Sequence, residues 1–171
     1  MASPDLASDD QPARWLDPDE RATWLSLSRI IVKLPSALDA QLERDADLNY
    51  FEYIVMAMLS EQDSRTLRMS QLAALSNASL SRLSHVAKRL ESRGFLQREP
   101  DPDDGRYTRA MLTDAGMAKV VDSAKGHVAH VRELVFDALT PAQQRRLRDI
   151  IDAILNRVDP GNSSWPQPPA I

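Results

Sequence analysis

Cysteine is absent from the 171 residues of this chain. A disulfide framework, a cysteine-ligated zinc site, thiolate catalysis and a thiol redox switch are therefore all excluded. The sequence also has no phosphate-binding glycine loop, no nucleophile elbow and no dense cluster of metal ligands. These absences argue against an enzyme and predict a chain that works without a cofactor.

Long apolar runs are missing as well. The longest ones, such as residues 53–59, fall far short of the roughly 20 residues that cross a bilayer, and no signal-peptide pattern precedes a cleavage site. We therefore expect a cytoplasmic protein without a membrane partner. Because 43% of the residues are hydrophobic, the chain can bury one core, and one domain is the starting expectation.

The sequence lacks the net positive charge of proteins that coat nucleic acid, since its formal net charge is −4. The charge is unevenly distributed. Residues 1–20 contain six acids and a single arginine, whereas residues 79–93 contain four cations and one acid. Phosphate would repel the first segment, and the second is a candidate for contact with it.

Capping and periodicity predict a mainly α-helical chain. Asp17, Pro18 and Glu20 form a helix start of the capping-box type, and apolar residues follow at three- and four-residue spacing as far as Leu42. Pro35 lies inside this pattern and is expected to kink or break the helix. Further helices are predicted after the N-cap residues Asn49, Ser70, Thr113 and Thr140.

The segment 79–93 predicts a DNA-recognition helix. Leu80, Leu83, Ala87 and Leu90 share one apolar face. The remaining surface carries short polar groups near the start and long cations further along: Ser79, Ser81, Arg82, Ser84, His85, Lys88 and Arg89. Such a surface suits the major groove, where short side chains reach base edges and arginine pairs with guanine or phosphate. A solvated helix face is the alternative interpretation.

A two-stranded hairpin is predicted directly after this helix. Its strands are Phe95–Glu99 and Arg106–Leu112, around the loop Pro100–Gly105. Gly105 is expected to supply a positive φ to the turn, and Arg106 to reach a phosphate or the minor groove. A short extended piece, a short helix and a turn precede the recognition helix, which is the spacing of a helix-turn-helix. A surface hairpin without a ligand is the alternative.

The run from Arg98 to Arg106, followed by Leu112-Thr-Asp-Ala-Gly116, resembles the wing and the next helix start of the MarR family of bacterial regulators. The resemblance implies a winged helix-turn-helix that dimerises through its terminal helices and offers two recognition helices to a pseudo-palindrome. Many family wings carry Asp-Arg-Arg at the tip, whereas this chain has Asp104-Gly-Arg106. Contact at the tip would therefore depend more on Arg106 and Arg109.

The resemblance also implies an organisation along the chain. We expect a flexible acidic arm (1–16), an N-terminal dimerisation helix (17–47), a winged helix-turn-helix (48–112), C-terminal dimerisation helices (113–159) and a flexible tail (160–171). The wing adds Arg98, Arg106 and Arg109 to the candidate DNA-binding residues. An apolar stripe on the last helix supports a dimer: Leu147, Ile150, Ile151, Ile154 and Val158.

Aromatic residues and histidines offer two weaker signals. The resemblance implies a cleft for a small aromatic or anionic effector, and the candidates to line it are Trp24, Tyr50, Tyr53 and Met56. Ordinary core packing explains these residues equally well. His127, His130 and Glu133 recur at three-residue spacing and could meet a metal ion. Such spacing often arises by chance, so no metal is expected.

Three functions compete for this sequence. The leading hypothesis is a homodimeric regulator that binds double-stranded DNA and represses transcription until an effector releases it. The alternative is a winged-helix module that binds protein, but residues 79–93 expose no predicted aromatic or aliphatic anchor. A small helical enzyme ranks last.

Overall fold

A computed structural model describes residues 13–160 of the chain. Its elements are α1 (Pro18–Ala46), α2 (Tyr50–Ser60), β1 (Thr66–Arg68), α3 (Met69–Leu75), α4 (Leu80–Ser92), β2 (Leu96–Pro100), β3 (Thr108–Leu112), α5 (Asp114–Val131), a π-helical turn (Arg132–Phe136) and α6 (Pro141–Val158). The mainly α-helical fold with a small wing is confirmed. The predicted flexible arm and tail lie outside the described residues, apart from residues 13–16 and 160.

Helix α1 starts at the predicted capping box. The Oδ1 atom of Asp17 accepts the backbone N–H of Glu20 at 2.8 Å, and Oε2 of Glu20 accepts the backbone N–H of Asp17 at 3.0 Å. The helix then continues through Pro35, so it is not broken there, and the predicted kink stays a prediction. Proline removes only one backbone donor, and the other hydrogen bonds of this 29-residue helix keep the segment helical.

The described part of the chain divides into two compact units between Leu34 and Pro35. In the first unit, large apolar side chains of α1 are more than half exposed. They are Trp24, Leu25, Ile30, Ile31 and Val32. A group of this kind on one segment is typical of a surface that contacts another molecule.

The core of the second unit lies where α2, α3 and α4 pack against the sheet. Fully buried side chains come from each element: Leu42, Leu48, Val55, Met56, Leu59, Leu72, Leu83, Leu90 and Leu96. Helix α4 contributes Leu83, Ala87 and Leu90, which lie on one helix face. Burying one such leucine contributes about 1.5–3 kcal/mol. This face therefore sets the rotation of α4 and determines which residues point outward.

The sheet has the strand order β1-β3-β2, and both pairings are antiparallel. Leu96 pairs with Leu112 and Pro100 pairs with Thr108, so the predicted hairpin is confirmed. The short extended piece before α3 is a third strand, since Arg68 pairs with Arg109. Arg68 also occupies the N-cap position of α3, two residues before the predicted cap at Ser70.

The two C-terminal helices start as predicted. Thr113 caps α5 by accepting the backbone N–H of Gly116 at 3.0 Å, and Thr140 and Gln143 form the capping box of α6. Every residue of α6 is at least partly exposed, including its apolar stripe: Leu147, Ile150, Ile151, Ile154 and Val158. Within the described residues, no helix combines the length and apolar character that crossing a membrane requires.

Candidate nucleic-acid interface

Helix α4 is held at both ends by local contacts. Oγ of Ser79 accepts the backbone N–H of Arg82 at 3.2 Å, which confirms the predicted N-cap. Gly94 ends the helix with a φ of 77°, and its carbonyl accepts the hydroxyl of Thr113 at 2.7 Å. Both ends of α4 are thus fixed by hydrogen bonds, and the backbone N–H groups of its first turn give that end a partial positive charge that favours anions.

The outward face of α4 carries most of the predicted contact residues. The exposed ones are Ser79, Ser81, Arg82, Ser84, His85, Lys88 and Arg89. Within the part of the chain that the structure describes, His85 and Lys88 form no ion pair. These two side chains are therefore available to a ligand on this face.

Leu80 does not lie in the core as predicted, because 54% of its surface is exposed. It is the first residue of α4, and the core reaches only from Leu83 onward. The exposed surface at the start of α4 thus includes an aliphatic side chain, contrary to the prediction that this helix exposes none. A single leucine is far from the clustered aromatic and aliphatic anchors of a protein-binding helix.

Several cations of α4 already have partners on α2 or next to it. The Arg82 guanidinium stacks over the Phe51 ring, with 4.2 Å between the guanidinium carbon and the ring centroid. Nε of Arg89 donates to Oε1 of Glu52 at 2.5 Å, and the Glu52 side chain is 3% exposed. This burial identifies Arg89 as an anchor of α4, with only its remaining donors left for DNA.

The predicted arginines of the wing divide into two groups. Arg98 donates to Glu91 at 2.7 Å, and Arg109 pairs with Glu99 on the neighbouring strand. Both arginines are only partly exposed, and the hydrogen bond from Arg98 lowers the pKa of Glu91. These pairs link the hairpin to α4 and join its two strands.

Arg106 is the wing arginine that extends into solvent, with 84% of its side chain exposed. It donates to Asp104 at 2.6 Å, and this bond lowers the pKa of Asp104. The predicted positive φ at Gly105 is wrong, because Gly94 is the glycine with that conformation among the described residues. The tip is shaped instead by Asp101, which accepts backbone N–H groups of the loop.

The structure brings some of the predicted effector residues together. The ring centroids of Tyr53 and Tyr50 lie 4.6 and 6.0 Å from that of His127, at the contact between α2 and α5. Partial burial raises the pKa of both tyrosines and lowers that of His127. Met56 is a fully buried core residue, and Trp24 belongs to the first unit.

A groove of about 460 Å³ lies between the second half of α1, the start of α2 and α4. Its lining residues are Pro35, Ser36, Asp39, Glu43, Asn49, Tyr50, Phe51, Arg82 and Val86. Tyr50 is thus shared between this groove and the aromatic cluster around His127. Arg82 lines the groove and is also exposed on α4, so a ligand in the groove would contact one of the predicted DNA-binding residues.

The three residues considered for a metal have separate surroundings. His127 packs against tyrosines, while Nδ1 of His130 lies 3.2 Å from Oε2 of Glu133. Among residues 13–160, no group of three or more histidines and carboxylates has a geometry that holds a metal ion.

Sequence reasoning missed three features of this surface. The exposure of Leu80, the stacking of Arg82 on Phe51 and the pairing of Arg68 with Asp101 all depend on tertiary packing. Of these residues, only Asp101 could have been recognised from the local sequence. An aspartate before a tight loop commonly accepts the backbone N–H groups two and three residues later.

Comparison with known proteins supports the interpretation of this surface as a nucleic-acid interface. A family model described as the MarR family matches residues 48–108, which contain the helix-turn-helix and most of the wing. The crystal structure of Sco3205, a MarR family transcriptional regulator from Streptomyces coelicolor in complex with DNA, is 39% identical in sequence. It covers 87% of this chain and 97% of that chain with a TM-score of 0.82.

Two further relatives cover nearly the same region. AbsC, a MarR family regulator from the same organism, is 31% identical, covering 85% of this chain and 98% of its own with a TM-score of 0.80. The HTH-type transcriptional repressor IacR of Pseudomonas putida is 22% identical over 158 residues, which are 92% of this chain and 86% of that protein. Members of this family are transcriptional regulators and not enzymes. With a matching wing, recognition helix and terminal helices, the chain belongs to the MarR family of winged helix-turn-helix transcriptional regulators.

Proposed function

We propose that this regulator represses transcription as a homodimer that binds a pseudo-palindromic operator and responds to a small-molecule effector. The observation that carries this proposal is the combination of the outward face of α4, which presents serines, His85 and Lys88, with the exposed Arg106 of the wing. This combination provides groups for base edges and for the phosphate backbone at the same time.

We assign different roles to the helix and the wing. Helix α4 enters the major groove, where Ser81, Ser84, Arg82 and His85 contact base edges. Arg106 contacts phosphate or the adjacent minor groove, because it is the exposed cation at the tip of the hairpin. Specificity then depends mainly on α4, whereas the wing adds affinity that depends little on sequence.

The dimer is supported by apolar surface that a single chain leaves exposed. The stripe of α6 and the apolar side chains on the first part of α1 are both exposed to water. Covering them with a second copy gives a symmetric interface, since the same patch then serves on both subunits. Two recognition helices placed in this way fit two half-sites separated by about one helical turn.

The effector is proposed to be small and aromatic or anionic, and to act through the groove that contains Tyr50 and Arg82. The groove combines the aromatic side chains of Tyr50 and Phe51 with the cationic Arg82, and the carboxylates of Asp39 and Glu43 also line it, so it favours the aromatic part of a ligand more than an anionic part. A ligand there would change the position of Arg82 and thereby its access to DNA. The assignment as a repressor is consistent with the similarity to IacR.

The deciding experiment first selects an operator duplex from a random library. The affinity of the protein for this operator and for a random duplex is then measured over a series of salt concentrations. We expect clear preference for the selected operator. Arg82→Ala should cost roughly 1–3 kcal/mol on the operator and less on random DNA. Arg106→Ala should weaken both complexes and reduce the salt slope by about one unit. If wild type binds no duplex, the regulator proposal fails and a protein-binding winged helix becomes the better hypothesis.

A further inference from the structure

We propose that the ion pair between Arg68 and Asp101 is a positioning device that holds the wing against the helix-turn-helix for DNA binding. The inference rests on the proposed DNA-binding function and extends it to two residues that lie outside the expected contact surface. Neither residue is assigned to touch DNA. Their role is to place Arg106.

The carboxylate of Asp101 organises the wing loop from inside. Only 7% of Asp101 is exposed, which is unusual for an aspartate beside a surface loop. Its Oδ1 atom accepts the backbone N–H groups of Asp103 and Asp104 at 3.0 and 3.3 Å. Its own backbone N–H donates to the carbonyl of Tyr107 at 2.9 Å. One residue therefore fixes both sides of the loop.

The second oxygen of the same carboxylate leaves the loop and binds Arg68. Nε of Arg68 donates to Oδ2 of Asp101 at 2.7 Å. This hydrogen bond lowers the pKa of Asp101, so the carboxylate stays charged at neutral pH. The Arg68 guanidinium also lies 5.0 Å from the centroid of the Tyr107 ring. Arg68 thus contacts both arms of the wing loop.

Arg68 connects this loop to the first helix of the helix-turn-helix. It is the last residue of β1 and the N-cap residue of α3, where Oε1 of Gln71 accepts its backbone N–H at 3.1 Å. The Arg98–Glu91 pair joins the hairpin to α4 at a different point. The Arg68–Asp101 pair therefore restrains the outer part of the wing, from which Arg106 extends.

A restrained wing binds DNA more tightly because less conformational freedom is lost in the complex. Without the ion pair, the loop would sample several positions and Arg106 would reach its contact in only a fraction of them. The expected change in affinity is opposite in sign to the one that charge alone would produce. Neutralising an acid near DNA strengthens binding through electrostatics alone, whereas Asp101→Asn should weaken binding because the wing is released.

The experiment measures operator affinity of the full chain for Asp101→Asn and for Asp103→Asn. The second variant is the matched control, because it removes one negative charge from the same loop at an exposed residue. We expect Asp101→Asn to lose affinity by roughly fivefold to tenfold, and Asp103→Asn to bind as tightly as wild type or more tightly. Arg68→Gln should match Asp101→Asn, whereas Arg65→Gln, which removes the exposed Arg65–Asp114 pair, should have a smaller effect.

A double-mutant cycle with Arg106→Ala shows whether the effect passes through the wing tip. Once Arg106 is absent, Asp101→Asn should cause little further loss. The proposal is overturned if Asp101→Asn binds as tightly as its control, or if it loses the same factor with and without Arg106. If Asp101→Asn fails to fold, the cycle with Arg68→Gln decides in the same way. If the wild-type protein binds no duplex, the proposed regulator function is wrong. That outcome is distinct from a failure of the Arg68–Asp101 proposal, in which wild type still binds the operator.

Discussion

At the scale of single residues, Leu80 gives the recognition surface an apolar point of contact. It is the first residue of α4 and lies beside the exposed Ser81 and Ser84. In the major groove, an aliphatic side chain contacts the C5-methyl group that distinguishes thymine. The exposed position of Leu80 is therefore suited to preference for thymine near the start of the recognition helix.

We predict that Leu80 makes the complex sensitive to one thymine methyl group in each half-site. Replacing that thymine by deoxyuridine should cost wild type about 0.5–1 kcal/mol, the value of one buried methyl group. Leu80→Ala should lose this sensitivity. The affinities of both proteins are measured on operator duplexes in which one thymine at a time is replaced by deoxyuridine. The operator that keeps every thymine serves as the reference. Equal responses of the two proteins at every position would contradict the prediction.

His127 connects a single residue to the pH dependence of stability. Burial lowers its pKa below the ordinary histidine value of 6.5, with a smaller contribution from the charge of His130. The unfolded chain therefore binds more protons than the folded chain as the pH falls below about 6.5. The stabilisation that neutral His127 provides is present above this pH and is lost as the pH falls through its folded pKa.

We expect unfolding free energies from urea titrations to decrease between pH 7.5 and pH 5.5 in the wild-type protein. In His127→Gln, this decrease should be smaller, because the group with the lowered pKa is absent. His85→Gln provides the control, because it removes an exposed histidine of α4 that is not among the groups lowering the pKa of His127. A decrease that is equally large in wild type and His127→Gln would assign the pH dependence to other groups.

At the scale of elements, α4 is held against α2 by arginines that the sequence predicts to contact DNA. Glu52 accepts the backbone N–H of Asn49 at 2.9 Å and the guanidinium of Arg89 at 2.5 Å. Its carboxylate therefore caps α2 and anchors α4 at once. One hydrogen-bonded ion pair thus joins α2 directly to α4.

We predict that Arg89→Ala destabilises the fold, because it leaves the buried Glu52 carboxylate without its charged partner. Loss of one partner of a buried polar group costs about 1–3 kcal/mol. Lys88→Ala, at the adjacent exposed position, should stay within about 0.5 kcal/mol of wild type. Urea unfolding without DNA measures both values. If Arg89→Ala weakened DNA binding and left stability unchanged, Arg89 would be a DNA contact and not an anchor.

The helices were predictable wherever donor and acceptor lie within one turn. The capping boxes at Asn49–Glu52 and Thr140–Gln143 are examples, because the sequence places both partners three residues apart. The hairpin was equally visible from its alternating pattern and loop composition. The same local reasoning failed at Gly105, where a buried aspartate shapes the loop and no positive φ is needed.

The roles of the arginines could not be read from sequence for a physical reason. Arg89 and its partner Glu52 lie 37 residues apart, and Arg68 and Asp101 lie 33 apart. Which cation meets a buried acid depends on how the helices pack, and periodicity gives only the face on which each cation lies. The position of α4 was therefore predicted correctly, while the division of its cations into anchors and candidate contacts required the structure.

At the scale of the whole molecule, the exposed stripe of α6 connects the proposed dimer to the proposed recognition of DNA. Ile150, Ile151 and Ile154 lie on one face of the helix and are each more than a third exposed. An apolar face of this length is unfavourable in water and is typical of an interface. If the stripe joins two subunits, the spacing of their recognition helices depends on it, and so does binding to a two-part operator.

We predict that Ile154→Glu separates the subunits, because a carboxylate in an apolar interface loses its hydration without gaining a partner. Asn156→Glu is the matched control, since it adds the same charge to an exposed residue on the opposite face of α6. Sedimentation at micromolar concentration should show dimers for wild type and Asn156→Glu, and monomers for Ile154→Glu. The monomer should bind the full operator roughly tenfold more weakly, because two linked recognition helices no longer bind the two half-sites of the operator at the same time. A wild-type protein that sediments as a monomer yet binds the operator with full specificity would show that one recognition helix is sufficient, and the dimer model would then be wrong.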